Sequence, residues 1–225
     1  MDFNNRVLTT IDVFGFNGWI TESHLSTWII MAFLILVAIA CRIALTRFTA
    51  TEAPKGWQNF IELIVETFSN FADSTLGPMK KFGGWFFGVF VFVLASNFSG
   101  LFGLRPPTAD LSTALVISVV SFILIQFTAY SRDPIGSLKG LFEPIFVFLP
   151  MNLIGELSVI VSLAFRLFGN ILSGLIIVGI IYYLLPAWLS FGLPVVLHAY
   201  FDIFAGAIQA FIITMLSMSL INLKT

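Results

Sequence analysis

Between Pro144 and Leu223 the chain runs for eighty residues with three formal charges, Glu156, Arg166 and Asp202. A run this apolar is at home in lipid, where a helix of about twenty residues crosses a hydrocarbon core of ~30 Å. Pro186 and Pro194 punctuate its middle, so residues 142–223 read as a helical hairpin bent near Leu185 to Pro194. The first arm, Phe142 to Leu185, would be ~66 Å long at ~1.5 Å per residue. Pro150 can break its beginning, but even Met151 to Leu185 exceeds the bilayer core. The second arm, Pro194 to Leu223, is also overlong. Two overlong arms imply a strongly tilted hairpin.

The rest of the chain fits the same solvent. Hydrophobic residues make up 58% and charged residues 10% of the 225, with 26 phenylalanines, more apolar surface than one water-soluble core would hide. An apolar run from Thr27 to Leu45 reads as a first span. Pro54 to Leu76 is amphipathic, with Ile61, Ile64, Val65 and Phe68 among Glu62, Glu66 and Asp73, and reads as a helix on the membrane surface. Gly84 to Leu104 and Leu111 to Tyr130 are two more spans, separated by a turn at Arg105-Pro106-Pro107-Thr108-Ala109-Asp110. The expected fold is therefore all-α: one polytopic membrane domain with an outer N-terminal segment (1–26), about three upright spans plus the surface helix (27–131, 54–76), and the tilted hairpin (142–223).

Arg42, Arg47, Lys55, Lys80, Lys81, Arg132, Lys139 and Lys224 fall on one side of this layout, and Arg6 and Arg105 on the other. The positive-inside rule then puts the N-terminus outside and the C-terminus in the cytoplasm. The N-terminal residues lack the basic start and apolar core of a cleaved signal, so the spans themselves are expected to direct insertion. A net charge of −1 gives no basis for nucleic-acid binding. Cys41, alone in an apolar run, is read as a packing residue, and no cofactor is implied.

A charge at mid-bilayer costs at least ~2.5–3.5 kcal/mol, and arginine keeps its proton throughout the physiological range. Arg166 therefore needs polar groups, water or a partner's carboxylate. Gly155, Ser162, Arg166, Gly169, Asn170 and Ser173 project to nearly one side of a helix, a small and polar face that permits close approach. The plain structural alternative is an ion pair of Arg166 with Glu156 or Asp202. On the second arm His198, Asp202, Gly206 and Gln209 share a face that turns apolar at Ile213 and Leu216. Such a stripe suits either half of an aqueous channel or a hydrogen-bonded helix seam. Asn152, Glu156, Ser158 and Ser162 offer a polar group at the cytoplasmic end of the first arm. Glu22 and His24, near the outer end of the first span, can be read as lining a channel mouth or as surface residues, and the surface reading is preferred.

These residues also carry a family resemblance. Phe165-Arg166-Leu167-Phe168-Gly169-Asn170, followed by Gln209-Ala210-Phe211-Ile212, resembles the a subunit of rotary F-type ATP synthases, and Pro106-Pro107-Thr108-Ala109-Asp110-Leu111 resembles the turn of bacterial and plastid members. Asn97 stands where relatives carry an asparagine. The resemblance implies that the hairpin packs against a ring of c subunits, with the b subunit and the remainder of the complex as further partners. The family's essential arginine maps to Arg166 and its glutamine to Gln209. The chain departs at Leu175, where some relatives are acidic. It departs at Asp202, where relatives carry histidine or glutamate, which leaves Asp202 as the expected sole acid of the outer channel. It departs again at Ser158-Val159-Ile160, where many read Ser-Lys-Pro. Either H⁺ or Na⁺ is compatible.

A self-contained ion-coupled secondary transporter is the alternative, with Glu156, Arg166 and Asp202 as ligands; the short chain and the lack of an internal repeat oppose it. A purely structural scaffold leaves a mid-bilayer arginine unexplained. No Walker-type loop and no nucleophile–histidine–acid set is present, so no catalytic site is expected.

Overall fold

A computed structural model of the chain describes residues 7–13, 16–45, 56–132, 134–142, 145–184 and 192–224. The chain opens with an antiparallel hairpin, β1 (Val7–Val13) and β2 (Phe16–Thr21), paired from Val13↔Phe16 to Val7↔Thr21. Its first strand is rich in β-branched residues, which suit a pleated ribbon. The hairpin leads directly into α1 (Glu22–Leu45), followed by α2 (Trp57–Leu76), α3 (Gly83–Phe98), α4 (Leu111–Arg132) and the short α5 (Pro134–Phe142). The first arm of the apolar hairpin is one unbroken helix, α6 (Leu149–Leu184), of 36 residues. Pro150 sits in its first turn, where a missing N–H costs nothing. The second arm comprises α7 (Leu193–His198), a π-helical stretch (Ala199–Ala205) and α8 (Gly206–Lys224).

Among the described residues five segments are long and apolar enough to cross a membrane, and the two hairpin arms, at 36 and 32 residues, are the overlong ones. The all-α reading holds apart from the N-terminal ribbon. The expected bend at Leu185 to Pro194 falls mostly outside the described residues, as do Arg6, Arg47 and Lys55 from the orientation argument.

Two apolar clusters join the helices. One gathers Leu76 from α2, Phe86 from α3, Ile125 from α4, and Met218 and Ile221 from α8. The other gathers Val93, Ala114, Leu163, Leu167, Ala210 and Ile213 from α3, α4, α6 and α8. In lipid such contacts gain little from the hydrophobic effect, and helices associate by close packing and interhelical hydrogen bonds. The tightest junction shows both. Asn97 Nδ2 donates to the Gly206 carbonyl at 2.9 Å, and Thr108 Oγ1 donates to Asn97 Oδ1 at 3.1 Å. A Cβ on Gly206 would lie 2.9 Å from the Asn97 Cβ, so only glycine permits this approach.

The structure refines several expectations. α1 begins at Glu22, five residues before the expected start, because an acid in the first turn complements the helix dipole. α2 forms over most of the expected 54–76 amphipathic segment, with Ala72 and Leu76 buried in the core and Gly77, at φ 55°, ending the helix against Asn222. The Pro106-Pro107 turn is present as expected, and Pro107, Thr108 and Ala109 within it fold inward and are buried. Within the second arm, the π stretch had no sequence counterpart.

Candidate functional site

Arg166 sits midway along α6, with seventeen residues of helix before it and eighteen after. Its neighbours Leu163 and Leu167 point into the second apolar cluster, while Arg166 itself is exposed on the outer wall of the chain. Among the described residues it makes no hydrogen bond and no ion pair. The alternative of an intramolecular ion pair with Glu156 or Asp202 is thereby overturned, because both acids have other partners. Gly155, Ser162 and Ser173 are exposed on the same helix, and Gly169 and Asn170 are half-buried. A Cβ placed on Gly155 or Gly169 would meet nothing within 4 Å. The small polar face is therefore open at Gly155, Ser162, Arg166 and Ser173 and partly covered at Gly169 and Asn170.

Two amides lie beside it. Gln209 is 6% exposed, and its Nε2 has no hydrogen-bond partner; the Nδ2 of Asn170 is buried and likewise unpartnered. Gln209 precedes Ala210, which packs with Leu163 and Leu167, so it borders the seam that carries Arg166. Unsatisfied amides are costly in an apolar interior.

Toward the N-terminal end of the second arm, a cavity of about 310 Å³ opens between α1, the Gly100–Pro106 loop, α6 and the second arm. Glu22, Arg105, His198 and Asp202 line it. His198 Nδ1 lies 2.7 Å from Asp202 Oδ2, and the same oxygen lies 3.3 Å from where a Cβ on Gly100 would stand. The side chains of His198 and Asp202 are 30% and 17% exposed, so the pair is shielded yet reachable. The π stretch carries Asp202, and widened turns of this kind recur at functional sites. The cavity extends along α6 to Ile171, five residues or ~7.5 Å from Arg166 along the axis.

Of the two readings open for Glu22, channel mouth or surface, the preferred surface reading is overturned, and Arg105 had no expected part in a cavity. Glu22 is a cavity-lining acid rather than a surface residue, so Asp202 is not the sole acid there. Arg105, expected in the turn and on the outer side of the charge layout, also lines the cavity. His24, by contrast, is exposed and bonds Thr21, as the surface reading expected. Leu175, where some relatives are acidic, also lines this cavity. The signal for Glu22 was its place four residues before Ser26, one helical turn back, had the helix start been read earlier.

At the opposite end of the arms, Glu156 bonds Lys224 at 2.6 Å and also accepts from Gln126. Asn152 is half-buried one turn away and Ser162 is exposed nearer Arg166. Between this polar group and the cavity stands the apolar cluster of Val93, Leu163, Leu167 and Ile213. The expectation that the second arm turns apolar after Gln209 is met at buried Ile213, though Thr214 and Ser217 beside it are also buried.

Fold and site together define a polytopic helical membrane protein that holds a fixed cation at mid-span on its outer wall, between two separated polar regions. The pattern of the family described as "ATP synthase A chain" matches residues 24–222. The chain is 33% identical over 240 residues to "ATP synthase subunit a, sodium ion specific" of Propionigenium modestum, covering 96% of this chain and 78% of that protein. It is 31% identical over 201 residues to "ATP synthase subunit a 1" of Prosthecochloris aestuarii, covering 88% and 86%. It is also 31% identical over 206 residues to "ATP synthase subunit a" of Moorella thermoacetica, covering 90% and 89%. The chain belongs to the ATP synthase A chain family.

Proposed function

We propose that this chain is the stator subunit a of a bacterial F-type ATP synthase, providing two offset half-channels that carry H⁺ or Na⁺ to and from the carboxylates of a rotating c-ring. The observation that carries this reading is the exposed Arg166 on an open face, with an apolar plug behind it and a polar region to either side. An ion cannot cross the plug inside the chain. It can cross only by transferring, beside Arg166, to a carrier that moves along the open face.

In this mechanism the outer half-channel is the cavity lined by Asp202, His198 and Glu22. The ion passes from it to a ring carboxylate, which rides nearly a full turn before meeting the second half-channel at Ser162, Glu156 and Asn152. Arg166 attracts the returning carboxylate, displaces its ion and blocks a short circuit between the two paths. Gln209 and Asn170 supply amide N–H groups, unpartnered within the chain, that donate to the arriving carboxylate beside Arg166. Each charge moved down the membrane potential supplies ~2.3 kcal/mol per 100 mV. The subunit provides a path and no catalytic site of its own. Its partners are the c-ring, the b subunit and the rest of the complex, in a bacterial cell membrane, with the N-terminus outside and the C-terminus cytoplasmic.

The test is gradient-driven ATP synthesis by the reconstituted complex, wild type against Arg166→Ala, with and without sodium. Loss of synthesis in a complex that still assembles is the expected result, and the sodium dependence names the ion. Survival of coupled synthesis would sink the reading. Ion transport by the chain alone, without a ring, would instead favour the self-contained transporter.

A further inference from the structure

Three side chains from three helices close on one another at the end of the arms away from the cavity. Lys224 Nζ donates to Glu156 Oε1 at 2.6 Å and to Gln126 Oε1 at 3.0 Å, and Gln126 Nε2 donates to Glu156 Oε2. Both oxygens of the carboxylate are thus engaged, by different residues, and the Gln126 amide uses both of its ends. The side chains of Lys224 and Glu156 are 29% and 24% exposed. The pair Lys80–Asp73 is the contrast: it is 3.5 Å long, its side chains are 61% and 42% exposed, and such surface pairs contribute little.

We propose that Lys224 is a gate residue, held as a latch over Glu156, and that an ion leaves this end of the path only by displacing its ammonium. The proposal rests on the reading of Glu156 as part of the cytoplasmic half-channel. A carboxylate already bound by an ammonium and an amide is a poor resting place for a second cation. Lysine suits the task because its charge rides on a flexible stem with three rotatable donors, so it can swing aside without moving the backbone. Its place in the last turn of α8 adds freedom, since helix ends fray. Gln126 keeps the carboxylate oriented while the ammonium is away, and the charge-assisted bonds reclose the latch afterwards. Arg166, mid-helix, remains the fixed charge, and Lys224 is the movable one.

The test measures ATP synthesis by the intact reconstituted complex as a function of imposed potential. Lys224→Gln should raise the rate at low potential by about two- to fivefold, the factor expected from releasing one partly shielded ion pair. Lys224→Arg should stay near wild type, and the gain should vanish when Lys224→Gln is combined with Glu156→Gln. If Lys224→Gln matches wild type while Glu156→Gln alone slows synthesis, the gate is overturned and the half-channel reading of Glu156 stands. If both single variants match wild type, that half-channel reading fails, and the gate with it. Should Lys224→Gln not assemble, the charge swap Glu156→Lys with Lys224→Glu decides. Assembly with wild-type rates at every potential would make the pair purely structural and overturn the gate. Assembly with an altered rate at low potential supports it.

Discussion

Arg166 and Glu22 are instructive because one stands out in the sequence and the other admits two readings there, of which the less favoured one holds in the structure. A lone arginine in eighty apolar residues announces itself, since its charge cannot be neutralised and every alternative placement is costly. Glu22 lies in a mixed polar stretch where acids are ordinary, and only the tertiary arrangement turns it toward Asp202 and His198. Two outcomes follow for these acids in the assembled complex. Glu22→Gln should slow gradient-driven synthesis several-fold without abolishing it, because Asp202 still serves the cavity. The double variant Glu22→Gln with Asp202→Asn should fall to background, measured by the same synthesis assay. Equal rates for Glu22→Gln and wild type would remove Glu22 from the path. Gln209 and Asn170 are legible as polar residues on the two arms, but their unpartnered N–H groups emerge only from the packing around them.

At the level of elements, the hairpin arms were readable because length and hydropathy are properties of a segment. Their internal geometry was not. The π stretch at Ala199–Ala205 arises where Phe201 packs against Gly174 of α6: a Cβ on Gly174 would sit 3.1 Å from that of Phe201. Gly174→Leu should therefore push the arms apart beside the cavity. Gly206→Val makes the sharper test, since the neighbouring Asn97 Cβ leaves no room at 2.9 Å. Overpacking of this kind costs about 1–3 kcal/mol, and the expected result is a lower thermal midpoint of the detergent-solubilised complex. An unchanged midpoint would mean that α3 and α8 can part without cost. α2 teaches the same lesson, for its amphipathic pattern was read correctly as a helix, while the burial of Leu76 among Phe86, Met218 and Ile221 needed those partners to be known.

For the whole molecule, the order of spans and the distribution of positive charges lead to the proposed orientation, which a labelling experiment can check. In a Cys41→Ser background, Trp19→Cys, an exposed position in β2, should react with a membrane-impermeant thiol reagent from outside intact cells. Leu223→Cys, exposed near the end of α8, should react only after the cells are opened. The reverse pattern would invert the two half-channels. What the sequence determined by itself was whatever depends on one segment at a time: membrane residence, the number of apolar runs, the overlong arms, and the helix face that carries Arg166. Those follow from transfer costs and helical periodicity, which are local. What only the tertiary structure decided was which side of α6 the chain leaves uncovered, that Glu22 shares a cavity with Asp202, that Glu156 pairs with Lys224 rather than with Arg166, and that an apolar cluster separates the two polar ends. Each of these joins residues far apart in the chain, and in lipid such contacts are chosen by shape and hydrogen bonding between helices, which no single segment encodes.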